Sequence, residues 1–327
     1  LPLLKACLRR KSLLKNVQEA SLLVNGIHAH ISHYHLPLTG LLGDYLVVAL
    51  AKSGALHHAL HLSYTLQCRT VFSWTAIISA YVEFGQAQEA FTVYQLMLQD
   101  CVEPNNYTFV SLLKACGIMG SGELEQGRQL HEHAHTLGFV SDIFVASSLV
   151  SMYGKCGNLQ QAEILFVSAW SQSQGCPHNT VLVVWNAMLS AYVEQGQAQK
   201  ALQLYRRIME DGTSPDQLTL LLAAKACAVL AEKEENGFIW DVSSNKLSPG
   251  LAVHMEAEVK GFTSDVALSN TLINMYGKCG ALAEAGCVFC SLSERTVVSW
   301  RALLSAYVDH GDGEKALQLY LQMGAEG

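Results

Sequence analysis

The chain repeats itself at two scales, and this repetition constrains its fold more than any single residue does. Ser73-Trp74-Thr75-Ala76, Val184-Trp185-Asn186-Ala187 and Ser299-Trp300-Arg301-Ala302 each lead into Ser-Ala-Tyr-Val, with the tryptophans 111 and 115 residues apart. Lys-Ala-Cys stands at Lys5 to Cys7, Lys114 to Cys116 and Lys225 to Cys227, at intervals of 109 and 111. Tyr153-Gly154-Lys155-Cys156-Gly157 returns at Tyr276 to Gly280, and in a worn form as Ala51-Lys52-Ser53-Gly54. The three phrases always follow one another in the same order. Each long unit divides into three shorter motifs, giving 1–39, 40–70, 71–105, 106–142, 143–181, 182–216, 217–265, 266–296 and a truncated 297–327.

Periodicity inside the motifs predicts helical hairpins. Trp74, Ile77, Ile78, Tyr81 and Val82 fall at i, i+3, i+4, i+7 and i+8, one face of an α-helix. Trp185, Met188, Leu189, Tyr192, Val193 and Trp300, Leu303, Leu304, Tyr307, Val308 keep the same spacing. Breaks at Gly85, Gly196 and Gly311 are each followed by a second amphipathic stretch, such as Ala90, Phe91, Tyr94 and Met97. Pro104 and Pro215 close two hairpins, because proline lacks an amide hydrogen and disfavours helical geometry before it. A hairpin this short cannot bury its own apolar face. The predicted fold is therefore all-α, a right-handed α-solenoid superhelix of stacked helix-turn-helix hairpins forming one repeat array over residues 1–327. Polar, turn-rich stretches near 170–180 and 232–249 are expected as surface-loop insertions.

Half of the 327 residues are hydrophobic and only 15% are charged, which excludes a disordered or polybasic chain. The longest apolar run, near Val181 to Val193, is interrupted by Asn186 and Ser190, so no membrane partner is expected. The net charge is −7. Of ten cysteines, Cys7, Cys116, Cys156, Cys227 and Cys279 lie in repeat phrases as small packing residues, which points to a reducing compartment.

These phrases resemble the pentatricopeptide repeat proteins, specifically the subclass in which long, short and standard motifs alternate. The Lys-Ala-Cys motifs resemble the long type, the Tyr-Gly-Lys-Cys-Gly motifs the short type, and the Ser-Trp-x-Ala motifs ending in Pro-Asn or Pro-Asp the standard type. The resemblance implies sequence-specific binding of single-stranded RNA, one base per hairpin. The base readers it implies are the fifth and last residues of each motif. Thr75 with Asn105 is the pair associated with adenine, Asn186 with Asp216 the pair associated with uracil, and Asn270 with Thr296 a pyrimidine pair. Asp44 with Thr70, and Ser147 with Val181, occupy the same places without a base assignment. Second residues Phe72, Val183 and Val298 resemble the apolar wedges between which bases are sandwiched. For Thr75 and Asn186 the competing reading is a helix N-terminal cap. Val110 and Leu221, apolar at the fifth position of long motifs, suggest spacers. Motifs 71–105 through 182–216 are accordingly expected to prefer A-x-x-U, read 5′ to 3′ along the chain.

The same resemblance implies a role in organellar RNA metabolism, in mitochondrion or plastid: C-to-U editing, splicing or transcript processing. Its expected partners are single-stranded organellar RNA and editing or processing co-factors. The first residue is Leu1 and no signal-like stretch follows, so a targeting peptide is expected outside this segment. A protein-binding scaffold of tetratricopeptide type is the alternative. Deaminase signatures have partial matches in His254-Met255-Glu256 and Cys287-Val288-Phe289-Cys290, but Gly286 stands where a proline belongs. His254 also aligns with His131, and Cys287 and Cys290 align with Ile164 and Val167 of an earlier copy. The cluster His28, His30, His33 and His35 is taken as a solvated helix end rather than a metal site. No phosphate loop, nucleophile elbow or carboxylate pair stands out, so the segment is expected to be non-enzymatic, without cofactor or metal.

Overall fold

Each motif from residue 40 onward builds two α-helices in a computed structural model that describes residues 26, 29, 41–66, 69–172, 178–233 and 249–326. Of the first motif only residues 26 and 29 are described, and Cys7 and the histidine cluster lie outside the described residues. The helices, in chain order, are α1 (Leu41–Lys52), α2 (Leu56–Thr65), α3 (Val71–Glu83), α4 (Ala87–Gln99), α5 (Asn106–Met119), α6 (Leu124–Thr136), α7 (Ile143–Lys155), α8 (Leu159–Gln172), α9 (His178–Glu194), α10 (Ala198–Glu210), α11 (Gln217–Lys233), α12 (Pro249–Val259), α13 (Val266–Lys278), α14 (Leu282–Ser291), α15 (Val297–Asp309) and α16 (Gly313–Glu326). No strand occurs among the described residues.

The chain forms two compact units, residues 1–158 and 159–327. In the first, α1 packs on α3, α3 on α5 and α5 on α7; in the second, α9 packs on α11, α11 on α13 and α13 on α15. First helices thus line up side by side within each unit, while second helices back them from one side, as α4 backs α5 and α10 backs α11.

The periodic residues make the core. Trp74, Ile77, Ile78, Tyr81 and Val82 are buried, as are Trp185, Met188, Leu189 and Tyr192. Phe166 meets the Trp185 ring edge-on at 5.0 Å, and Phe289 meets Trp300 likewise at 4.8 Å. The third copy departs from its pattern: Leu304 and Tyr307 are half-buried and Val308 is exposed, because no further hairpin packs on α15 among the described residues. Gly85, Gly196 and Gly311 break their hairpins with φ of 77°, 66° and 74°, values a side chain opposes. Burial of Cys116 and Cys227 pushes each thiol up to about 12, in keeping with inert packing residues.

Both insertions are shorter than their composition suggests. Trp170 to Gln172 complete α8, and α9 begins at His178, one turn before the expected motif start at 182. Trp170 has a physical reason to stay helical, since its ring packs edge-on against Trp185 at 5.9 Å. In the second insertion Glu232 belongs to α11, and Pro249 opens α12, where its missing amide costs nothing.

Candidate nucleic-acid interface

Because first helices stand side by side, each exposes one stripe that its neighbours cannot cover. The stripe runs through motif positions 2, 6, 9 and 13, the i, i+4, i+7 and i+11 spacing of one helix face. On α5 it consists of Tyr107, Ser111, Lys114 and Ile118, with Tyr107, Lys114 and Ile118 exposed. Neighbouring stripes touch. Tyr45 on α1 meets Phe72 on α3 edge-on at 6.3 Å, and the Ser79 hydroxyl on α3 bonds that of Ser111 on α5 at 2.7 Å.

The expected wedge residues lie on this surface: Phe72 is 53% and Val298 61% exposed, and Val183 is half-buried. Leu41, Tyr107, Phe144 and Leu218, the large apolar second residues among the remaining short and long motifs, are exposed in the same register, as is the smaller Ala267. They were missed in the sequence, although the motif numbering alone could have found them. An apolar side chain held in water at every turn of a repeat marks a contact surface better than one isolated exposed residue does.

The fifth and last residues come together, but their roles differ from a simple pair of open readers. Fifth residues Asp44, Thr75, Ser147 and Asn186 are buried, Asn186 to 6% exposure. Last residues Thr70, Asn105 and Thr296 are half-buried and Asp216 is exposed. Each of these four is the N-cap of the next first helix, whereas Val181, the last residue of motif 143–181, lies inside α9. The Thr70 and Thr296 side chains accept from Ser73 N and Ser299 N, Asn105 Oδ1 accepts from Thr108 N at 2.9 Å, and Asp216 Oδ1 from Thr219 N at 2.8 Å. The cap reading entertained for Thr75 and Asn186 is therefore corrected: the fifth residue lies a full turn inside the helix, and the last residue carries the cap.

The two are wired to each other. Thr70 Oγ1 donates to Asp44 Oδ2 at 3.0 Å. Asn186 Nδ2 donates to Asp216 Oδ1 at 3.1 Å, while the Thr219 hydroxyl donates to Asn186 Oδ1 at 2.8 Å. Thr75 reaches Asn105 through the Thr108 hydroxyl, 2.7 Å from Thr75 Oγ1 and 3.0 Å from Asn105 Oδ1. In each case a buried polar group gains a partner and the outer one is held in a single orientation. Asp44 Oδ1 and Asn270 Oδ1 remain buried without a hydrogen-bond partner among the described residues. Ser147 instead turns back to Phe144 O at 3.0 Å, and no bond joins it to Val181. Nor does a bond join Asn270 to Thr296 among the described residues. In the long motif 106–142 the last residue, Asp142, is held by the first, Asn106, at 3.0 Å rather than by apolar Val110.

Charge on the stripes differs from what net charge suggests. Lys52, Lys114, Lys155 and Lys225 are exposed at its positions 9 and 13, and Glu83, Glu194 and Asp309 at position 13 of the standard motifs. Lys278 reaches Asp309 at 3.2 Å and Glu232 at 3.4 Å, and the Asp309 carboxylate holds its ammonium above the usual range. Glu232 thus abuts the stripe of α13 instead of lying out in a loop.

The deaminase-like residues serve the repeat. His254 Nδ1 bonds the Tyr276 hydroxyl at 2.7 Å, as His131 Nδ1 bonds Tyr153 at 3.0 Å. Cys287 and Cys290 face solvent on α14, as Ile164 and Val167 do on α8. Among the described residues no three His, Cys, Asp or Glu side chains gather as a metal site, and no helix is long and apolar enough to cross a membrane.

Comparison with known proteins agrees with this anatomy. Models of the PPR repeat family match residues 69–117 and 181–228, and of the PPR repeat residues 144–168, 268–297 and 298–327. A pentatricopeptide repeat-containing protein of Arabidopsis thaliana named as mitochondrial is 33% identical over 95% of this chain and 34% of its own length. Another from the same plant, named as chloroplastic, is 30% identical over 99% of this chain and 48% of its own. The crystal structure of the pentatricopeptide repeat protein PPR10 with an 18-nt psaJ RNA element aligns over 89% of this chain and 49% of that chain, at 17% identity and a TM-score of 0.35. The chain thus spans a third to a half of the length of these curated relatives. Matched by these models over more than half of its length, this chain belongs to the pentatricopeptide repeat family.

Proposed function

We propose that the chain binds single-stranded RNA along the open stripes of its first helices, one nucleotide per motif, as part of a mitochondrial or plastid RNA-metabolism factor of the subclass with alternating long, short and standard motifs. The observation that carries this reading is the wired pair: a buried fifth residue orienting a cap residue, with an apolar second residue on the same first helix, at Asp44–Thr70, Thr75–Asn105 and Asn186–Asp216. Motif 182–216 takes uracil. Its carboxylate accepts from N3–H, and the second Nδ2 hydrogen of Asn186 donates to O4; cytosine would turn its N3 lone pair against the carboxylate. Motif 71–105 takes adenine, so the preferred RNA reads A-x-x-U. Editing, splicing or processing chemistry falls to a partner or to a further domain.

Binding of short oligonucleotides varied at those two bases tests the reading. Thr75→Asn with Asn105→Asp is expected to move the first preference from adenine to uracil. Equal affinity for all variants would remove base reading. Absence of RNA binding even at low salt would favour the peptide-binding scaffold instead.

A further inference from the structure

The two complete standard motifs close on the same three-residue frame, and one side chain in it differs in kind. In Glu103-Pro104-Asn105 and Ser214-Pro215-Asp216 the first residue is exposed, the proline is buried and the third residue is the N-cap. We propose that Ser214 is a phosphorylation site for a proline-directed protein kinase, its phosphate held by Lys260 of the following motif.

Three observations converge on Ser214. First, it is presented as a kinase needs it. Residues 213–216 belong to no helix, Ser214 is exposed between the end of α10 and the start of α11, and the proline after it disfavours helical geometry at the serine. Second, a cation already meets the hydroxyl. Lys260 Nζ donates to Ser214 Oγ across 46 residues of chain, and the same ammonium lies 3.5 Å from Glu256 Oε1. A phosphate on that oxygen brings close to two negative charges and three acceptor oxygens, so it draws Lys260 away from the single carboxylate. Third, the lysine comes with the serine. Leu137 follows α6 as Lys260 follows α12, so where the first copy has a fixed acid, Glu103, leucine takes the lysine's place. Phosphorylation gives the second copy the acidic group that the first carries permanently, and adds a tie between motifs 182–216 and 217–265.

In the transfer, Ser214 Oγ attacks the γ-phosphorus of a kinase-bound nucleoside triphosphate. The Oγ–P bond forms as the bond to the β-phosphate oxygen breaks, nucleoside diphosphate leaves, and the hydroxyl proton passes to the kinase's catalytic carboxylate. Ser214 lies within about 7 Å of Asp216 along the chain. The phosphate therefore sets its charge beside the proposed uracil reader and repels the RNA backbone, a consequence that alone rests on the RNA-binding reading above.

The test treats the full chain with a proline-directed kinase and magnesium ATP, maps the product by mass spectrometry, and compares parent, Ser214→Ala and Lys260→Ala. The parent is expected to take up phosphate at Ser214, and Ser214→Ala to take up none in that loop. No modification, or modification only at Ser248, the other serine followed by proline, overturns the site. The phosphorylated parent is expected to melt about 2 °C above its untreated form, and phosphorylated Lys260→Ala to show no such rise over its own untreated midpoint. An equal rise in both overturns Lys260 as the holder. Affinity for an A-x-x-U oligonucleotide is expected to fall about fivefold on phosphorylation at low salt, and less as salt rises. Unchanged affinity overturns the consequence for RNA while the mapped site stands. No RNA binding by the untreated chain overturns the RNA reading and leaves the mapped site and its thermal signature intact.

Discussion

The two units share an interior and differ in the surface they leave open. Along residues 41–158 the exposed second residues are Leu41, Phe72, Tyr107 and Phe144, accompanied by Lys52, Lys114 and Lys155 against Glu83. Along 159–327 the second residues are Val183, Leu218, Ala267 and Val298; Lys225, Lys278 and Arg301 are balanced in number by Glu194, Glu232 and Asp309, and Lys278 pairs with the last two. The first unit presents three aromatic rings and more lysines than carboxylates on its stripes. The second is nearly charge-balanced, presents aliphatic groups, and carries the directly bonded pair Asn186–Asp216. A repeat consensus thus secures the packing while the stripe varies. The net charge of −7 says little about either stripe.

The largest expected effect probes the shared interior. Trp74→Ala and Trp185→Ala should each destabilise their unit by about 3–5 kcal/mol, followed by urea unfolding; a several-fold difference between them would break the premise that the interiors are equivalent. Next comes the contrast in stacking. Phe72→Ala and Phe144→Ala should each cost about 1–3 kcal/mol of RNA affinity, and Val183→Ala distinctly less, by direct titration. If Val183 matters as much as Phe72, the aromatic character of the first unit is incidental. Then Asn186→Leu, which strips Asp216 of its partner, should cost about 1 kcal/mol of preference for uracil and leave binding of RNAs lacking that base nearly unchanged.

The smallest expected effect lies in a device both units share. His131 and His254 each bond a tyrosine, and burial lowers both from the ordinary 6.5. A lowered folded value means the neutral histidine favours the fold. That stability is complete above pH 6.5 and is lost as pH falls from there toward the folded value. Beside His131 the neighbouring His135 lowers the value further against Glu132, whereas Glu258 beside His254 opposes the burial. NMR titration should therefore place His131 below His254, and acid should loosen the first unit before the second. The reverse order would mean that burial alone outweighs these neighbours.

Much of the fold was legible because helical periodicity is local: Trp74, Ile77, Ile78 and Tyr81 state the buried face before any tertiary contact is known. The turns at Gly85, Gly196 and Gly311 were equally plain. The site was half legible. Motif numbering singled out Thr75, Asn105, Asn186 and Asp216, yet it could not tell that the fifth residue is buried and that these last residues cap. That depends on where the next helix begins. Nor could it see that α9 starts a turn early, since only the packing of Trp170 on Trp185 makes those residues worth ordering.

What the amino-acid order determined by itself is the repeat: its register, its helical faces, its hairpin turns and the residue types offered at each position. Those follow from spacing within a helix and from chain geometry at glycine and proline. What only the tertiary structure decided is which offered residues remain open, which are wired to one another, and which lysines keep their charge uncompensated. Burial and pairing are properties of neighbours, and the neighbours of Asn186, Gly117 and Lys278 lie some thirty to forty residues away along the chain.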